Sequence, residues 1–388
     1  MPERQNIHLA LIFKDLAAWV KSSCVGLHVA GFSTAKVLEA DGFDVTVFPV
    51  RHNVDIVESV DHYNETHAEP ITHIVISAPW LSVWDLEALL INFHSTQFVV
   101  LSHSNVGFLQ ADPDGVYLLR QYMELSRRYP NLKVGGNSAR FVDWMRDAYG
   151  YDAVLLPNLY SLENCKPDRR WDFGAPVLNI GAFGAVRPYK NLMTAAAAAV
   201  VISKQLFVPV NFHITYGGES DSTGIVSAIE QMLANTRVKL VAHRWEFWDK
   251  FVELVGSMDL LLQPSYTESF NMVTADGVFM GIPSVVSSAI SWAPGQWKAD
   301  SDNATEIARV GLRLLIEGTA EAGRRALRNH NESSLHYWQK FLGIPEPLPD
   351  ELVSKAGREA LRTWIERSTA PPKPKWYQTI WRRIRFAN

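Results

Sequence analysis

Short apolar runs alternate along the first half of the chain with longer stretches of helical periodicity. Residues 7–13 (IHLALIF), 43–50 (FDVTVFPV), 72–79 (THIVISAP) and 97–103 (QFVVLSH) are near-continuous apolar runs of strand length. Strands that read as apolar on both faces belong to a buried parallel sheet. Between them, 26–42 (GLHVAGFSTAKVLEADG) and 82–94 (SVWDLEALLINFH) carry apolar residues at helical spacing. Two more short runs, within 131–138 and 153–160, continue the alternation. Strand–helix alternation predicts a doubly wound α/β unit.

The segment 161–176 (SLENCKPDRRWDFGAP) interrupts this pattern with charges and two prolines, and reads as a linker. The alternation then restarts. Residues 177–183, 210–218, 238–244, 260–265 and 283–288 are expected strands, and 191–206, 224–236, 246–258 and 272–280 expected helices. From about residue 303 onward the chain reads as helical. The expected architecture is two Rossmann-like doubly wound domains facing across a cleft, followed by C-terminal helices. The expected divisions are 1–165, 166–335 and 336–388. Ligands of such sheets sit beyond the carboxyl ends of the strands, so chemistry is sought there.

Composition narrows the class only a little. A chain of 388 residues is long enough for two domains. The formal net charge of −4 does not indicate overall attraction to nucleic acid. The two cysteines, Cys24 and Cys165, have neither metal-site spacing nor the number a disulfide framework needs, and fit a reducing compartment. No apolar run approaches a membrane-spanning length, and the N-terminal run lacks a signal-peptide pattern. The expectation is a cytoplasmic protein.

The candidate chemistry lies in 260–288. A buried strand ends at Pro264-Ser265, a loop carries Glu268, and a helix is expected to start near Phe270. A helix N-terminus beside Ser269 and Phe270 would offer unpaired N–H groups to phosphate. Asp276 falls about two turns further on, about 80° around the axis from Glu268. That spacing suits two grips on one ligand better than a shared metal ion, and no metal is expected.

The stretch Pro264–Ser288 resembles the signature of retaining, nucleotide-sugar-dependent glycosyltransferases of the GT-B fold. Pro264, Ser265, Glu268, Phe270, Gly281 and Pro283 match the family pattern, and Asp276 stands where a second Glu is usual. The resemblance implies that Glu268 binds hydroxyls of the donor sugar and that Asp276 binds the nucleotide ribose. A second stretch, 180–191 (IGAFGAVRPYKN), is similar to the family's diphosphate-binding segment, with Gly184 and Lys190 in place. Ala185 replaces the usual Arg, and Arg187 is the candidate to supply that cation. A lysine brings a point charge and an arginine a bidentate fork, and a diphosphate uses both.

Other positions follow from the same resemblance. Gly26 would let the first strand–helix turn approach the donor phosphates. His103, at a strand end, would position or hydrogen-bond the reacting sugar. Arg244 and Trp245 would meet the nucleotide base. Asn137 and Ser138 end another strand and are candidate helix caps. Plainer roles stay open: a helix-terminal charge for Glu268, a surface acid for Asp276, a core histidine for His103, a packed indole for Trp245.

The implied activity is hexosyl transfer from a UDP- or GDP-sugar to an unidentified acceptor, without cofactor or metal. A sugar-nucleotide-binding relative without transferase activity and a DNA-base glycosyltransferase are the alternatives. In the tail, Tyr377, Ile380, Trp381 and Ile384 fall at helical spacing, with arginines mostly on another face. Three uses stay open for it: packing back across both domains, peripheral membrane contact through 376–386, and, less favoured, a nucleic-acid backbone.

Overall fold

The computed structural model describes residues 7–15, 25–110, 112–216 and 224–343. The tail 376–386, Cys24 and most of the first strand–helix turn lie outside the described residues.

Two parallel sheets follow one another along the chain. The first contains β1 (His8–Lys14), β2 (Asp44–Val50), β3 (His73–Ser77), β4 (Gln97–Ser102), β5 (Leu132–Gly136) and β6 (Val154–Leu155), in the order β2-β1-β3-β4-β5-β6. The second contains β7 (Leu178–Ala182), β8 (Val210–Thr215), β9 (Val238–His243), β10 (Leu260–Gln263) and β11 (Ser284–Val286), in the order β11-β10-β7-β8-β9. Every ladder is parallel, as the near-continuous apolar runs require. The central strands β1, β3 and β4 are buried almost throughout.

Helices connect the strands of the first sheet. They are α1 (Val25–Ala40), α2 (Asn53–Thr66), α3 (Val83–Asn92), α4 (Val106–Leu109), α5 (Pro113–Arg128) and α6 (Ala139–Tyr149). The second sheet carries α7 (Leu192–Leu206), α8 (Ile225–Leu233), α9 (Trp248–Gly256) and α10 (Met272–Phe279), then α11 (Ala304–Glu317). The alanine-rich face of α7, with Ala195, Ala196, Ala198 and Ala199 fully buried, lets that helix lie close to its sheet. Facing positions in α11 are equally tight: a Cβ on Gly311 would stand 2.9 Å from Leu260 Cδ2.

The last helix, α12 (Glu321–Phe341), returns to the first sheet. Trp338 and Leu342 are buried among Leu9, Leu11, Val75 and Val99. On the way α12 clasps the segment that crosses between the sheets. Asn331 exchanges two hydrogen bonds with the backbone of Tyr160, and Trp338 Nε1–H donates to the Pro157 carbonyl at 2.9 Å. From the other side, Thr34 of α1 receives the Leu159 N–H at 3.2 Å. The crossing segment is thus held by α1 on one side and α12 on the other.

The start of α10 follows the expected 272–280 helix and not the start expected near Phe270. α10 begins at Met272, not near Phe270, because Asn271 adopts a left-handed backbone with φ of 70°. Its side chain then accepts the Thr274 N–H and caps the helix. Left-handed backbone is incompatible with continuing the helix backwards, which frees 268–270 as loop.

Candidate functional site

The two sheets present their carboxyl ends to each other. On the first, Ser77, His103 and Asn137 follow or end β3, β4 and β5, neighbours in the ladder, so their side chains form one row. On the second, the turn 188–190 after β7 and the loop 264–271 after β10 are sewn together. Tyr266 N–H donates to the Tyr189 carbonyl at 2.8 Å, and Asn191 Nδ2 donates to the Pro264 carbonyl at 3.1 Å. Asn191 does this from a left-handed backbone with φ of 58°, where asparagine is at home. Gly184, at φ of 121°, holds a conformation that only glycine adopts readily.

These constraints bring Lys190 and Glu268 into contact across 78 residues, with Nζ and Oε1 2.6 Å apart. The pair is mostly buried, the side chains keeping 18% and 9% of their exposure. Asn271 Nδ2 donates to the same Glu268 oxygen at 2.9 Å. A cation, a carboxylate and an amide therefore converge where the second sheet's ligand edge meets the first.

The first sheet closes over this group. Asn105 Nδ2 donates to the Glu268 carbonyl at 2.5 Å. Ser269 Oγ–H donates to the His103 carbonyl at 2.9 Å, and Asn137 Nδ2 reaches Ser269 Oγ at 3.2 Å. Asn137 does not cap α6 as expected; Ser138 occupies the cap position without a side-chain bond. Asn137 instead turns to His103 Nδ1, at 3.4 Å, and across the cleft. The other ring nitrogen of His103 faces Ser77 Oγ at 3.3 Å. Burial pushes the His103 imidazole down to about 4, so it is neutral at physiological pH. Asn105 and Asn137 are 5% and 4% exposed, and each leaves its side-chain oxygen without a protein partner. Buried acceptors in that state beside an ion pair suit an incoming hydroxyl.

Arg187 is near this group but otherwise engaged. It donates to Tyr189 Oη at 2.8 Å and lies 5.0 Å over the Phe108 ring of α4. Phe270 leaves the cleft altogether: its ring is buried, stacked on Trp292 at 5.5 Å. Arg244 is exposed and Trp245 half-buried in the loop before α9. Gly26 sits in the first turn of α1, where an added Cβ would meet no atom within 4 Å among the described residues.

Asp276 stands apart. It is 2% exposed, and its Oδ1 accepts both Tyr160 Oη–H at 2.6 Å and Trp248 Nε1–H at 2.9 Å. Burial pushes its carboxyl up to about 6, while the two donors pull the other way. The same burial and the adjacent Asp276 raise the Tyr160 phenol well above its ordinary value. Spacing along the chain carries no sign of these partners, because Tyr160 comes from the crossing segment and Trp248 from α9. Among the described residues, no three or more His, Cys, Asp or Glu side chains converge as a metal site.

Solved structures share this fold over most of the chain. Sucrose-phosphate synthase from Thermosynechococcus elongatus superimposes with a TM-score of 0.57 at 16% identity, covering 86% of this chain and 98% of that one. The chain has the GT-B fold. Trehalose-6-phosphate synthase OtsA gives a TM-score of 0.57 at 11% identity, over 88% of this chain and 100% of its own. HepE of Anabaena, in complex with UDP-glucose, gives 0.53 at 15% identity, over 92% and 99%. No protein-family model matches the sequence, and no curated protein matches it. Among the described residues no helix is long and apolar enough to cross a membrane.

Proposed function

We propose that this GT-B protein is a glycosyltransferase that moves a hexosyl group from a nucleotide sugar to an acceptor, with retention of anomeric configuration. The observation that carries the proposal is the Lys190–Glu268 pair, 2.6 Å apart at the ligand edge of one sheet and covered by Asn105, His103 and Asn137 from the other. On donor binding, Lys190 Nζ turns from the carboxylate to the leaving diphosphate. Glu268 is then free to accept from sugar hydroxyls, with Asn271 holding its orientation. The N-terminus of α10, one residue beyond Asn271, adds positive potential at the same place. Fixed charges aimed at a leaving group stabilise the transition state without reorganising. Neutral His103 donates to or accepts from the sugar, and the free oxygens of Asn105 and Asn137 accept from the sugar or the incoming hydroxyl. The covering contacts exclude water, which would otherwise hydrolyse the donor.

We assign residues 1–165 to the acceptor side, 166–335 to the donor side and 336–388 to the closing segment, in a cytoplasmic enzyme whose tail remains a candidate membrane contact. Ala185 and the enclosed Asp276 favour one other reading, a donor-binding relative that does not transfer. Measuring donor consumption with UDP- and GDP-sugars across an acceptor panel separates the two. Turnover lost in Glu268→Ala and Lys190→Ala supports transfer. Tight donor binding with no turnover for any acceptor supports the binding protein.

A further inference from the structure

The ligand edge of the first sheet continues past His103 onto strands that the donor chemistry does not use. The order β1-β3-β4 sets the ends of β1 and β3 beside the strand of His103. Phe13 pairs with Ser77 in the ladder, and Ser77 Oγ lies 3.3 Å from His103 Nε2. Successive strand residues face opposite sides. Phe13 packs on the His28 and Phe32 rings of α1, so Lys14, the last residue of β1, turns the other way. There its Nζ lies 5.3 Å over the ring of Trp80, in the turn that leads from β3 to α3. That turn passes through Ala78 at φ of 68°, an uncommon backbone for alanine, fixed by a 2.9 Å bond from its N–H to the Leu101 carbonyl.

Lys14 and Trp80 are both half-buried, and both hold donors that nothing satisfies. Among the described residues no carboxylate forms an ion pair with Lys14. The adjacent Asp15 is turned to His28, with Oδ1 and Nε2 3.1 Å apart. The acid of the first turn of α3, Asp85, is claimed by Ser82 Oγ–H and Asn53 Nδ2–H, each at 2.6 Å. The indole face attracts the ammonium but accepts none of its N–H groups in the ordinary way. Trp80 Nε1 is itself buried without a partner among the described residues. An ammonium and an indole N–H can only donate. Beside the ion pair the spare groups are acceptors, the Asn105 and Asn137 oxygens; at Lys14 and Trp80 they are donors with a positive charge. Buried donors in that state call for an acceptor from outside, and the charge calls for an anion.

The donor set and its distance from the reaction centre narrow the class of anion. A point charge beside a separate N–H suits the several oxygens of a phosphate, whereas a planar carboxylate is met best by the fork of an arginine. From β1 to β4 is two strand spacings, about 10 Å. A monosaccharide with its reacting hydroxyl at His103 and a phosphate on its far side spans that interval. We infer that the acceptor is a phosphorylated sugar, and that Lys14 Nζ and Trp80 Nε1–H hold its phosphate. This rests on the glycosyl-transfer reading above and names the class of acceptor that reading leaves open. The phosphate is a handle and is unchanged by the reaction. In the transfer the acceptor hydroxyl oxygen bonds the anomeric carbon, the bond to the nucleoside diphosphate breaks, and the hydroxyl proton leaves with that diphosphate. Lys14 therefore determines which acceptor binds and does not act on the reacting atoms. The same chemistry would hold a free sugar phosphate or a sugar carried on a lipid phosphate.

Transfer kinetics with matched acceptors test it, using UDP- and GDP-sugars as donors. One arm pairs glucose with glucose 6-phosphate and mannose with mannose 6-phosphate. The other offers a polyprenyl-phosphate-linked sugar in detergent micelles beside the same sugar free. In the wild type, kcat/KM for the phosphorylated member should exceed that for the neutral one by about tenfold or more, the scale of one charge-assisted contact. Lys14→Met should remove most of that preference through the acceptor KM, while the donor KM stays within about threefold. Lys14→Arg, which keeps a cation over the ring, should recover most of it. Trp80→Phe keeps a ring under the ammonium and removes the N–H, and should lower the preference by about threefold. Preference in the first arm supports a free sugar phosphate as the acceptor, and preference in the second alone supports a lipid-borne one. Transfer to neutral and phosphorylated acceptors alike, or a preference undiminished in Lys14→Met, overturns the phosphate assignment and leaves glycosyl transfer standing. No transfer from any donor to any acceptor overturns the transfer reading and this inference with it.

Discussion

Glu268 and Asp276 are two acids on one short stretch, and the fold gives them opposite surroundings. Glu268 lies in a loop, faces a lysine, and is covered by asparagines that keep spare acceptors. Asp276 lies inside a helix, faces a phenol and an indole, and is closed off from solvent. Lys190 stands against Glu268, whereas burial raises the Asp276 carboxyl and only two neutral donors oppose the rise. The lesson is that an acid at the right spacing becomes a ligand group only when the fold leaves it a way to give up its protein partners. On the proposed reading Glu268 exchanges Lys190 for a hydroxyl, because the diphosphate takes the lysine. Asp276 would have to surrender the Tyr160 and Trp248 donors.

The largest expected effect comes from breaking the front acid. Glu268→Ala or Lys190→Ala should lower kcat by about a hundredfold or more, the scale of losing one preorganised charge at a leaving group. Their melting temperatures should fall as well, since removing one partner of a mostly buried pair leaves the other charge uncompensated. Asp276→Ala should act chiefly on stability. It strands the Tyr160 hydroxyl and the Trp248 N–H, and chemical denaturation should show a loss of about 2–4 kcal/mol. A loss of kcat larger in Asp276→Ala than in Glu268→Ala would erase the contrast.

A pH series sharpens it further. Asp276 in the folded chain keeps its proton up to about 6. The unfolded chain releases it near 4. Between those values the folded state binds the extra proton, so this carboxyl makes stability fall as pH rises, and the deficit is constant above 6. Buried His73, His103 and His213, each pushed down to about 4, act the other way, adding stability as pH rises from 4 towards 6.5. Those histidines are common to both proteins and cancel in a difference. The stability of Asp276→Asn minus that of wild type should therefore increase from pH 4 to pH 7, by at most about 3 kcal/mol. A flat difference would mean that the carboxyl is not buried as described. The smallest effect belongs to the cover. Asn137→Ala removes one cross-cleft donor and should lower kcat/KM by about three- to tenfold, with little change in stability.

Much of this was legible before the structure. Buried parallel strands announce themselves as unbroken apolar runs, and the pairing of 180–191 with 260–288 located the ligand edge. The cation and the acid that meet, Lys190 and Glu268, stand in those two segments. What could not be read was whatever depends on which side chains fill the space between elements. Phe270 sits one residue before the capping Asn271, and that left-handed residue turns its ring into the core. Asn137 looked like a helix cap because it precedes a helix, yet a bond to Ser269 across 132 residues claims it. Asn105 carried no signal at all, being one polar residue in a loop. Asp276 kept the spacing of a ligand acid, and only the approach of Tyr160 and Trp248 from elsewhere in the chain gives it another task.

If the front acid reads the donor sugar and the rear acid does not, one affinity ratio shows it. That ratio compares the tightest-binding nucleotide sugar with its bare nucleoside diphosphate, in wild type, Glu268→Gln and Asp276→Asn. The gain from the sugar should disappear in Glu268→Gln and persist in Asp276→Asn. A gain that survives in Glu268→Gln, or one that vanishes in Asp276→Asn, would reverse the roles given to the two acids.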